Sequence, residues 1–411
     1  MTATLPTLAK LKPNPAWARL PLFNRKNWTR VRFGDVVRQL KEQVDPVIDG
    51  VERYVEGGHM ETDNVHIRRW GNVGDGYLGP AFIRGFRTGQ VLYGSRRTYL
   101  KKVAVAEWDG VTANTTYVLE ADESKLLQSL LPWLMLSEKF TRHSVQESKG
   151  STNPYINFPD IAKFEFDLPP LDQQRRIAEI LWAVDECKIQ REQLRTNLNA
   201  FHKSTLDNAC AANAEKKRLA DVVTYASDGP FGSKLKTEHY TTSGARVIRL
   251  QNIGDGFFDE SDKAFISKDY FRELKRYEVR AGDVIVAGLG DETHLVGRAT
   301  LIPETLGPAV NKADCFCIRT DAKLMQNAFL SYFLNSRIGS EQVAARAQGT
   351  TRLRINVGNL KTIFVPILPL ETQAELVQQL QTIESAATEV EKSLQANEAT
   401  LTAFLNTIFG G

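Results

Sequence analysis

Residues 150–181 read GSTNPYINFPDIAKFEFDLPPLDQQRRIAEIL, and residues 349–380 read GTTRLRINVGNLKTIFVPILPLETQAELVQQL. The two stretches align without a gap, and the alignment places Gln174 on Gln373. Two copies so widely spaced are too few for a solenoid, which needs roughly three or more short repeats in succession. The chain is therefore predicted to be a tandem duplication, in which each copy is a globular part followed by a long helix.

Length and composition are those of an ordinary globular protein. A chain of 411 residues predicts two or three domains, and 42% hydrophobic with 25% charged residues is typical of soluble proteins. Four cysteines give no disulfide framework, and Cys315 and Cys317 lack the partners of a zinc site. The sequence contains neither a long apolar run nor a secretory signal, so we expect a cytoplasmic protein without a membrane segment.

The charge is unevenly distributed along the chain. Residues 371–408 contain six Glu and one Lys, and residues 172–210 contain six acidic and six basic side chains. Because the whole chain carries +3, the remaining residues carry +8. The globular parts are thus basic and the helices are not, which favours a polyanion as the partner of the globular parts.

Both globular parts have a β-rich pattern. Between residues 27 and 153, short apolar runs alternate with Gly and Asn turns, with one helix expected near residues 124–140. The run RTGQVLYG at 87–94 returns as RAGDVIVAG at 280–288, so the duplication extends into the globular parts. Residues 1–26 are rich in Pro and basic residues and are expected to form an irregular arm.

Two long helices are expected after Pro170 and Pro369, the first capped by Asp172. Each should span roughly 37 residues, or about 55 Å. Their apolar residues recur at steps of three and four, which is a heptad seam interrupted at Asn397, a candidate for fixing the register. The seams favour pairing of the helices with each other, and the alternative is packing on separate cores. The helix-pairing residues are Ile177, Ile180, Val184, Leu194, Leu198 and Phe201, and Leu380, Ile383, Val390, Leu394, Leu401 and Phe404.

Motifs that could carry catalysis are weak. The run Gly74-Asp-Gly-Tyr-Leu-Gly79 matches a dinucleotide fingerprint as text, but Pro80 follows it and no helix does, so we interpret it as a turn. The run Asn153-Pro154-Tyr155 resembles the Asn-Pro-Pro-Tyr motif of amino-methyltransferases but lacks the second Pro. We identify no catalytic residues and no metal ligands.

Basic, amide and hydroxyl side chains in predicted loops indicate DNA binding instead. Lys, Ser and Thr can contact phosphates, while Arg and Gln or Asn are the preferred readers of guanine and adenine. The candidates in the first half are Arg68, Arg69, Trp70, Arg96, Arg97, Tyr99, Lys101, Lys102, Ser151 and Thr152. Those in the second half are Ser233, Lys234, Lys236, Arg249, Gln251, Asn252, Thr350, Thr351, Arg352 and Arg354.

Several stretches, in order and over nearly the whole chain, resemble the specificity subunit of type I restriction–modification systems. They are DGPFGSKLKTEHYTTSGARVIRLQNIGDGFF at 228–258, AVNKADCFCIR, QGTTRLRINVGNLKTIFVPILPL and FDLPPLDQQRRIAEIL. The resemblance implies an α+β fold with internal pseudo-twofold duplication, in which two target-recognition domains are spaced by two long helices in an antiparallel coiled coil. It implies an arm at 1–26, recognition domains at 27–153 and 214–352, and conserved regions with the helices at 154–213 and 353–411.

The same resemblance implies a non-catalytic reader of double-stranded DNA, each recognition domain binding one half of a bipartite site. Its implied partners are two methyltransferase subunits that carry S-adenosylmethionine, and restriction subunits that use ATP and magnesium. No cofactor is expected in this chain. A self-sufficient DNA methyltransferase or nuclease, and a coiled-coil scaffold that does not bind DNA, remain as alternatives.

Overall fold

The computed structural model describes residues 24–211 and 214–410, so most of the predicted arm lies outside the described residues. The helices are α1 (Leu131–Leu136), α2 (Glu138–Gln146), α3 (Phe158–Ile161), α4 (Leu171–Ala211), α5 (Leu219–Val222), α6 (Lys268–Glu273), α7 (Asn327–Asn335), α8 (Arg337–Ala344), α9 (Val357–Leu360) and α10 (Leu370–Phe409).

The strands up to α4 are β1 (Thr29–Arg32), β2 (Val37–Leu40), β3 (Arg53–Val55), β4 (Gly71–Asn72), β5 (Phe82–Phe86), β6 (Val91–Gly94), β7 (Val103–Val105), β8 (Gly110–Ala113), β9 (Thr116–Ala121) and β10 (Glu165–Leu168). The strands after α4 are β11 (Glu215–Arg218), β12 (Val223–Ser227), β13 (Tyr240–Thr241), β14 (Ala245–Ile248), β15 (Phe265–Ile266), β16 (Glu278–Val279), β17 (Val284–Ala287), β18 (Ala299–Leu301), β19 (Ala309–Asn311), β20 (Cys315–Thr320) and β21 (Phe364–Ile367).

The chain divides into two compact units. The first contains the described residues up to Glu192 together with those from Lys392 onward, and the second contains Gln193–Glu391. Within the first unit, one sheet has the strand order β2-β9-β6-β7, a second has β4-β3-β8-β5, and β1 pairs with β10. Strands β3 and β8 run parallel, whereas the neighbours in the β2-β9-β6-β7 sheet are antiparallel.

The second unit repeats this topology with one additional strand, β13. Its sheets have the orders β12-β20-β17-β18 and β13-β15-β14-β19-β16, and β11 pairs with β21. Strands β14 and β19 are parallel, as β3 and β8 are in the first unit. Strands β6 and β17 are buried along their whole length, which explains why their sequences are continuous apolar runs. The predicted duplication of an α+β fold is therefore confirmed.

In the core of each unit, one end of α4 packs against the opposite end of α10. In the first unit, Ile177 and Leu181 near the start of α4 pack in one cluster with Leu405 and Ile408 near the end of α10. In the second unit, residues from the end of α4 share a core cluster with residues from the start of α10. The two helices are therefore antiparallel, as the resemblance to the specificity subunits implied, and they pair as the heptad seams predicted.

Ion pairs continue the pairing at heptad spacing. In the second unit, Arg195 Nη1 lies 2.7 Å from a carboxylate oxygen of Glu391, and His202 Nε2 lies 3.1 Å from one of Glu384. The step is seven residues forward on α4 and seven back on α10, so the same faces of the helices meet every two turns. In the first unit, Lys188 Nζ lies 3.0 Å from Glu398.

The apolar seam is less regular than predicted. The seam residues that are buried are Ile177, Leu380, Ile383 and Leu394, and those that are half-buried are Ile180, Val184, Leu198, Val390, Leu401 and Phe404. By contrast, Leu194 and Phe201 are 47% and 52% exposed, so the predicted seam is wrong at these positions. The core clusters cover α4 only toward its ends, and Leu181, Trp182 and Leu206, absent from the predicted set, are buried there.

A buried glutamine anchors the start of each long helix. Gln174 donates to the carbonyls of Lys125 (2.7 Å) and Pro169 (2.8 Å), and its amide oxygen accepts from Leu127 N (2.9 Å). Neither it nor its counterpart is exposed to solvent.

The counterpart, Gln373, repeats every bond of this network. It donates to the carbonyls of Leu324 (2.9 Å) and Leu368 (2.8 Å) and accepts from Gln326 N (2.8 Å). All three partners stand at the same offset along the chain as those of Gln174, so the aligned glutamines reflect a duplicated anchor.

Local predictions differ from the structure at two helix boundaries. The single helix expected at 124–140 is two helices, because Ser137 takes an extended backbone conformation and its hydroxyl accepts from Phe140 N, which caps α2. Helix α4 begins at Leu171, so Asp172 lies within the first turn rather than before it.

The Gly74–Gly79 run forms an irregular turn after β4 with no helix behind it, as predicted. Among the described residues, no helix combines the length and apolar character needed to cross a bilayer.

Candidate DNA interface

Three loops of the second unit form what we call the second loop face: residues 249–259, 288–298 and 348–354. Main-chain hydrogen bonds join the second and third of these loops, from Gly290 N to Leu353 O (2.8 Å) and from Ile355 N to Gly288 O (2.9 Å). The third loop is a tight turn in which Gly349 has φ +107°, a conformation that favours glycine. Each loop leaves a strand or helix of the buried frame, so its position is fixed, while some of its side chains, such as Gln251 and Thr293, remain exposed.

The second loop face surrounds a cleft lined by polar, apolar and aromatic side chains, three of them the aspartates Asp255, Asp259 and Asp291. Of the predicted residues, Gln251 and Arg352 line it. The sequence did not single out Phe257, which is 60% exposed, or His294 and Thr293 on the middle loop, which also line the cleft. Glycines at 288, 290 and 297 bracket that loop and were the signal that could have found it.

The first unit contains the same arrangement, the first loop face, built from residues 56–70, 95–102 and 149–155. Here Arg97 N donates to Pro154 O (2.6 Å) and Ile156 N to Ser95 O (2.9 Å), the latter corresponding to the bond from Ile355 to Gly288. The turn glycine, Gly150, has φ +86°. The structure thus brings together candidates that are far apart in sequence: Arg96, Arg97 and Tyr99 on one loop, and Ser151 and Thr152 on the next.

Positive charge is concentrated on the first loop face. Burial lowers the pKa of Lys102, the charges of Arg97 and Arg69 lower it further, and Glu56 opposes them, so each arginine lies close enough to repel Lys102. Such a cluster is stabilised by a polyanion, because phosphates would neutralise the repulsion. Beside it, Trp70 is 44% exposed, and the Arg53 guanidinium lies 5.0 Å from its ring.

A histidine links the first loop face to helix α4. His66 Nδ1 lies 3.0 Å from Glu107 Oε1, and His66 Nε2 lies 2.6 Å from Asp185 Oδ2 on α4. Burial opposes the charged imidazolium, but hydrogen bonds and charge attraction from the two carboxylates outweigh it and raise the pKa of His66 to about 9. The adjacent Arg68 also contacts α4, through Glu192 at 2.6 Å.

Some predicted base readers are engaged within the protein. Asn252 is fully buried, donates to the carbonyls of Asp259 and Asp262 (both 2.8 Å) and accepts from Arg249 N (2.9 Å), so the structure corrects its role from base reader to loop support. The Arg249 guanidinium pairs with the Asp262 carboxylate. Arg354 pairs with Asp314 at 2.8 Å.

Other predicted residues lie elsewhere or are held by neighbours. Lys101 is ion-paired with Glu138 and with Asp63. Ser233, Lys234 and Lys236 lie on an exposed loop beside α6, where Tyr270 Oη donates to Lys234 O (2.6 Å), and do not line the cleft. Thr350 and Thr351 are exposed on the turn of the second loop face. Within residues 24–211 and 214–410, no group of three or more His, Cys, Asp and Glu side chains gathers into a metal site.

Comparison with known proteins bears on this duplicated arrangement. A family model described as the type I restriction modification DNA specificity domain matches residues 86–200 and 212–399, well over half of the chain. The chain belongs to the type I restriction–modification DNA specificity family. The match takes in the whole second loop face, residues 95–102 and 149–155 of the first loop face, and most of both long helices.

Relatives within the specificity family are distant. The MjaVIII specificity subunit of Methanocaldococcus jannaschii is 21% identical over 396 residues, which cover 88% of this chain and 87% of that subunit. The EcoBI specificity subunit of Escherichia coli is 26% identical over 260 residues, 56% of this chain. That match spans about half the length of the EcoBI subunit, 53%.

Solved structures of the specificity family share the fold. The S subunit of a type I restriction–modification system from M. genitalium has a TM-score of 0.58 at 13% identity, with 95% of this chain and 98% of that chain covered. A chain from work on the complex assembly and conformational transition of a type I R-M system has a TM-score of 0.60 at 19% identity, with coverages of 93% and 97%.

Proposed function

We propose that this chain is the DNA sequence-specificity subunit of a type I restriction–modification complex, and that each loop face reads one half of a bipartite, asymmetric DNA site. The observation that carries the proposal is the repetition of one three-loop arrangement, with different side chains on each copy. Two equivalent scaffolds with unlike surfaces suit two different half-sites. The loops present Arg, Gln and hydroxyl groups, which suit base and phosphate contacts.

In this proposal the paired helices α4 and α10 set the length of the unread spacer and dock two methyltransferase subunits. The recognition domains extend over 27–153 and 214–352, and the conserved regions over 154–213 and 353–411. Methyl transfer belongs to the methyltransferase partners with their S-adenosylmethionine, and cleavage to restriction subunits that use ATP and magnesium. The chain itself is non-catalytic and works in the cytoplasm, where the DNA is.

The first test maps methylated bases in host DNA with the gene present and deleted. Loss of methylation at two short half-sites around a fixed spacer is the expected result. Loss at a continuous motif would contradict one half-site per loop face. Methyl transfer by the purified chain alone would identify a self-sufficient enzyme, and DNA affinity that does not fall with salt would favour the scaffold alternative.

Single variants then assign the half-sites. In the purified methyltransferase complex, Arg97→Ala should reduce discrimination at one half-site and Arg352→Ala at the other, by about tenfold or more if each reads a base. The control is Arg272→Ala on α6, outside both loop faces and 78% exposed at its side chain, which should leave both half-sites unchanged. Equal effects of Arg97→Ala and Arg352→Ala on both half-sites would argue against separate readers.

A further inference from the structure

A buried arginine joins two loops of the second loop face. Arg298 is only 7% exposed, yet it lies directly before strand β18 at the base of the cleft. Its Nε donates to Ile253 O at 2.7 Å and its Nη2 to Leu250 O at 3.1 Å. Its Nη1 donates to Leu289 O and Leu295 O, both at 3.1 Å.

The four carbonyls belong to two of the three loops, and both of these loops carry side chains that line the cleft. Leu250 and Ile253 flank Gln251, and Leu289 and Leu295 flank the loop that carries Thr293 and His294. A single guanidinium therefore fixes the main chain on both sides of each set of cleft-lining side chains. Four of the five N–H donors of an arginine are used in this way, which leaves at most one for DNA.

Burying the charged Arg298 guanidinium costs free energy, which is justified only if the directions of its hydrogen bonds matter. A buried charge needs compensation, and among the described residues no carboxylate forms an ion pair with Arg298. Carbonyl dipoles accept the hydrogen bonds of its guanidinium, and the charges of Asp255 and Asp291 favour its charged form without contacting it as ion pairs. Only a planar, forked cation can reach four carbonyls in fixed directions, so lysine would not replace it.

The first unit has a cation at the equivalent position. Lys102 lies directly before β7, and its carbonyl accepts from Gly94 N (3.0 Å), just as the Arg298 carbonyl accepts from Ala287 N (2.9 Å). The Lys102 ammonium donates to Gly57 O, on the loop that follows β3. In both units, a cation before the last strand of one sheet thus binds a loop attached to the other sheet.

We propose that Arg298 and Lys102 are positioning residues that determine specificity, each holding the loops of its own loop face in base-reading geometry. The inference rests on the proposed function, because it assigns these residues to reading DNA. A positioning role differs from a phosphate contact. Loss of a phosphate contact would lower the affinity for all DNA sequences alike. A positioning role changes the ratio between correct and incorrect half-sites instead.

The test uses the complex of this chain with its methyltransferase partner and a DNA library randomised at one half-site at a time. Arg298→Lys keeps the charge but not the fork, and should lower selectivity at the second half-site about tenfold while selectivity at the first stays within about twofold. Lys102→Met removes one hydrogen bond and should lower selectivity at the first half-site only. The matched control is Arg280→Lys, an exposed arginine of the same unit.

Several outcomes would overturn the inference. Wild-type selectivity in folded Arg298→Lys, or an equal loss at both half-sites, contradicts a local positioning role. If Arg298→Lys does not fold, Lys102→Met decides, and unchanged selectivity there contradicts the inference as well. A wild-type complex that reads no bipartite site would instead refute the proposed function, which keeps the two failures distinct.

Discussion

At the residue scale, the partners of a basic side chain decide whether it is free to bind DNA. Arg249 and Arg354 are exposed or half-buried, but each already faces a carboxylate, as Arg68 does in the first unit. By contrast, Arg97 has no ion-pair partner among the described residues, and its charge lowers the pKa of the neighbouring Lys102. The same residue type therefore stabilises the frame at one position and, on the proposed function, contacts DNA at another.

The contacts of His66 can be tested through the pH dependence of the stability of the first unit. Its pKa in the folded protein, about 9, is above the ordinary value of 6.5, so the contacts with Asp185 and Glu107 stabilise the fold fully below pH 6.5 and are lost as pH rises through 9. The free energy of unfolding of the first unit should fall by about 2–3 kcal/mol over this range. His66→Gln should be less stable near neutral pH and should lack most of this pH dependence.

Tryptophan fluorescence during urea unfolding can measure this effect, because every tryptophan lies at or before position 182. The control is His294→Gln, an exposed imidazole of the second loop face, which should leave the pH profile unchanged. A His66→Gln protein whose stability still falls between neutral pH and pH 9 as in the wild type would show that the imidazolium does not hold the loop to α4.

At the scale of elements, the glutamine anchors explain why two helices of this length begin at defined residues. Gln174→Met and Gln373→Met each leave two carbonyls and one amide buried without a partner, so each should destabilise its own unit by about 2–4 kcal/mol. Urea unfolding followed by tryptophan fluorescence should detect the first, and circular dichroism the second.

Gln378→Met, on an exposed face of α10, is the matched control and should change stability by no more than about 0.5 kcal/mol. An equally small effect of Gln373→Met would mean that the aligned glutamines are not anchors. The predicted loss is large because a buried polar group without a partner loses its solvation as well as its bond.

The duplication, the helices and the β-rich parts could be predicted because periodicity and repetition are local properties of a sequence. The roles of Asn252 and Arg298 could not. Asn252 in the run RLQN resembles a base reader until Asp259 and Asp262 fold over it. A lone Arg298 gives no signal, because its four acceptors are main-chain atoms, which no side-chain pattern reveals.

The exposure of two seam residues could not be predicted for a related reason. Leu194 and Phe201 follow the heptad rule, but burial of a seam also depends on which other elements cover it. Where the core clusters end, two helices alone shield an apolar side chain only in part.

At the scale of the whole molecule, the seven-residue spacing of the ion pairs between α4 and α10 allows the proposed spacer role to be tested without breaking the helices. Removing residues 189–195 together with 391–397 deletes one heptad from each helix and keeps the remaining residues in register. The helices shorten by about 10 Å. The tolerated DNA spacer should then shorten by up to about three base pairs, at roughly 3.4 Å each.

The measurement is methylation of a set of sites whose half-sites are constant and whose spacers differ by single base pairs. Removal of 189–195 alone is the control, since it disturbs the register beyond the deletion and should abolish methylation at every spacer. An unchanged spacer preference in the matched double deletion would show that the helices do not measure the DNA.

Loops of each face are tied to one another through main-chain atoms, as between Gly290 and Leu353 or between Arg97 and Pro154. Amide and carbonyl groups are the same whichever side chain a residue carries. Exposed loop residues can therefore be exchanged during evolution without loss of the fold. On the proposed function, a gene of this kind would acquire a new target by point substitution or by exchange of one loop set, with the frame unaltered.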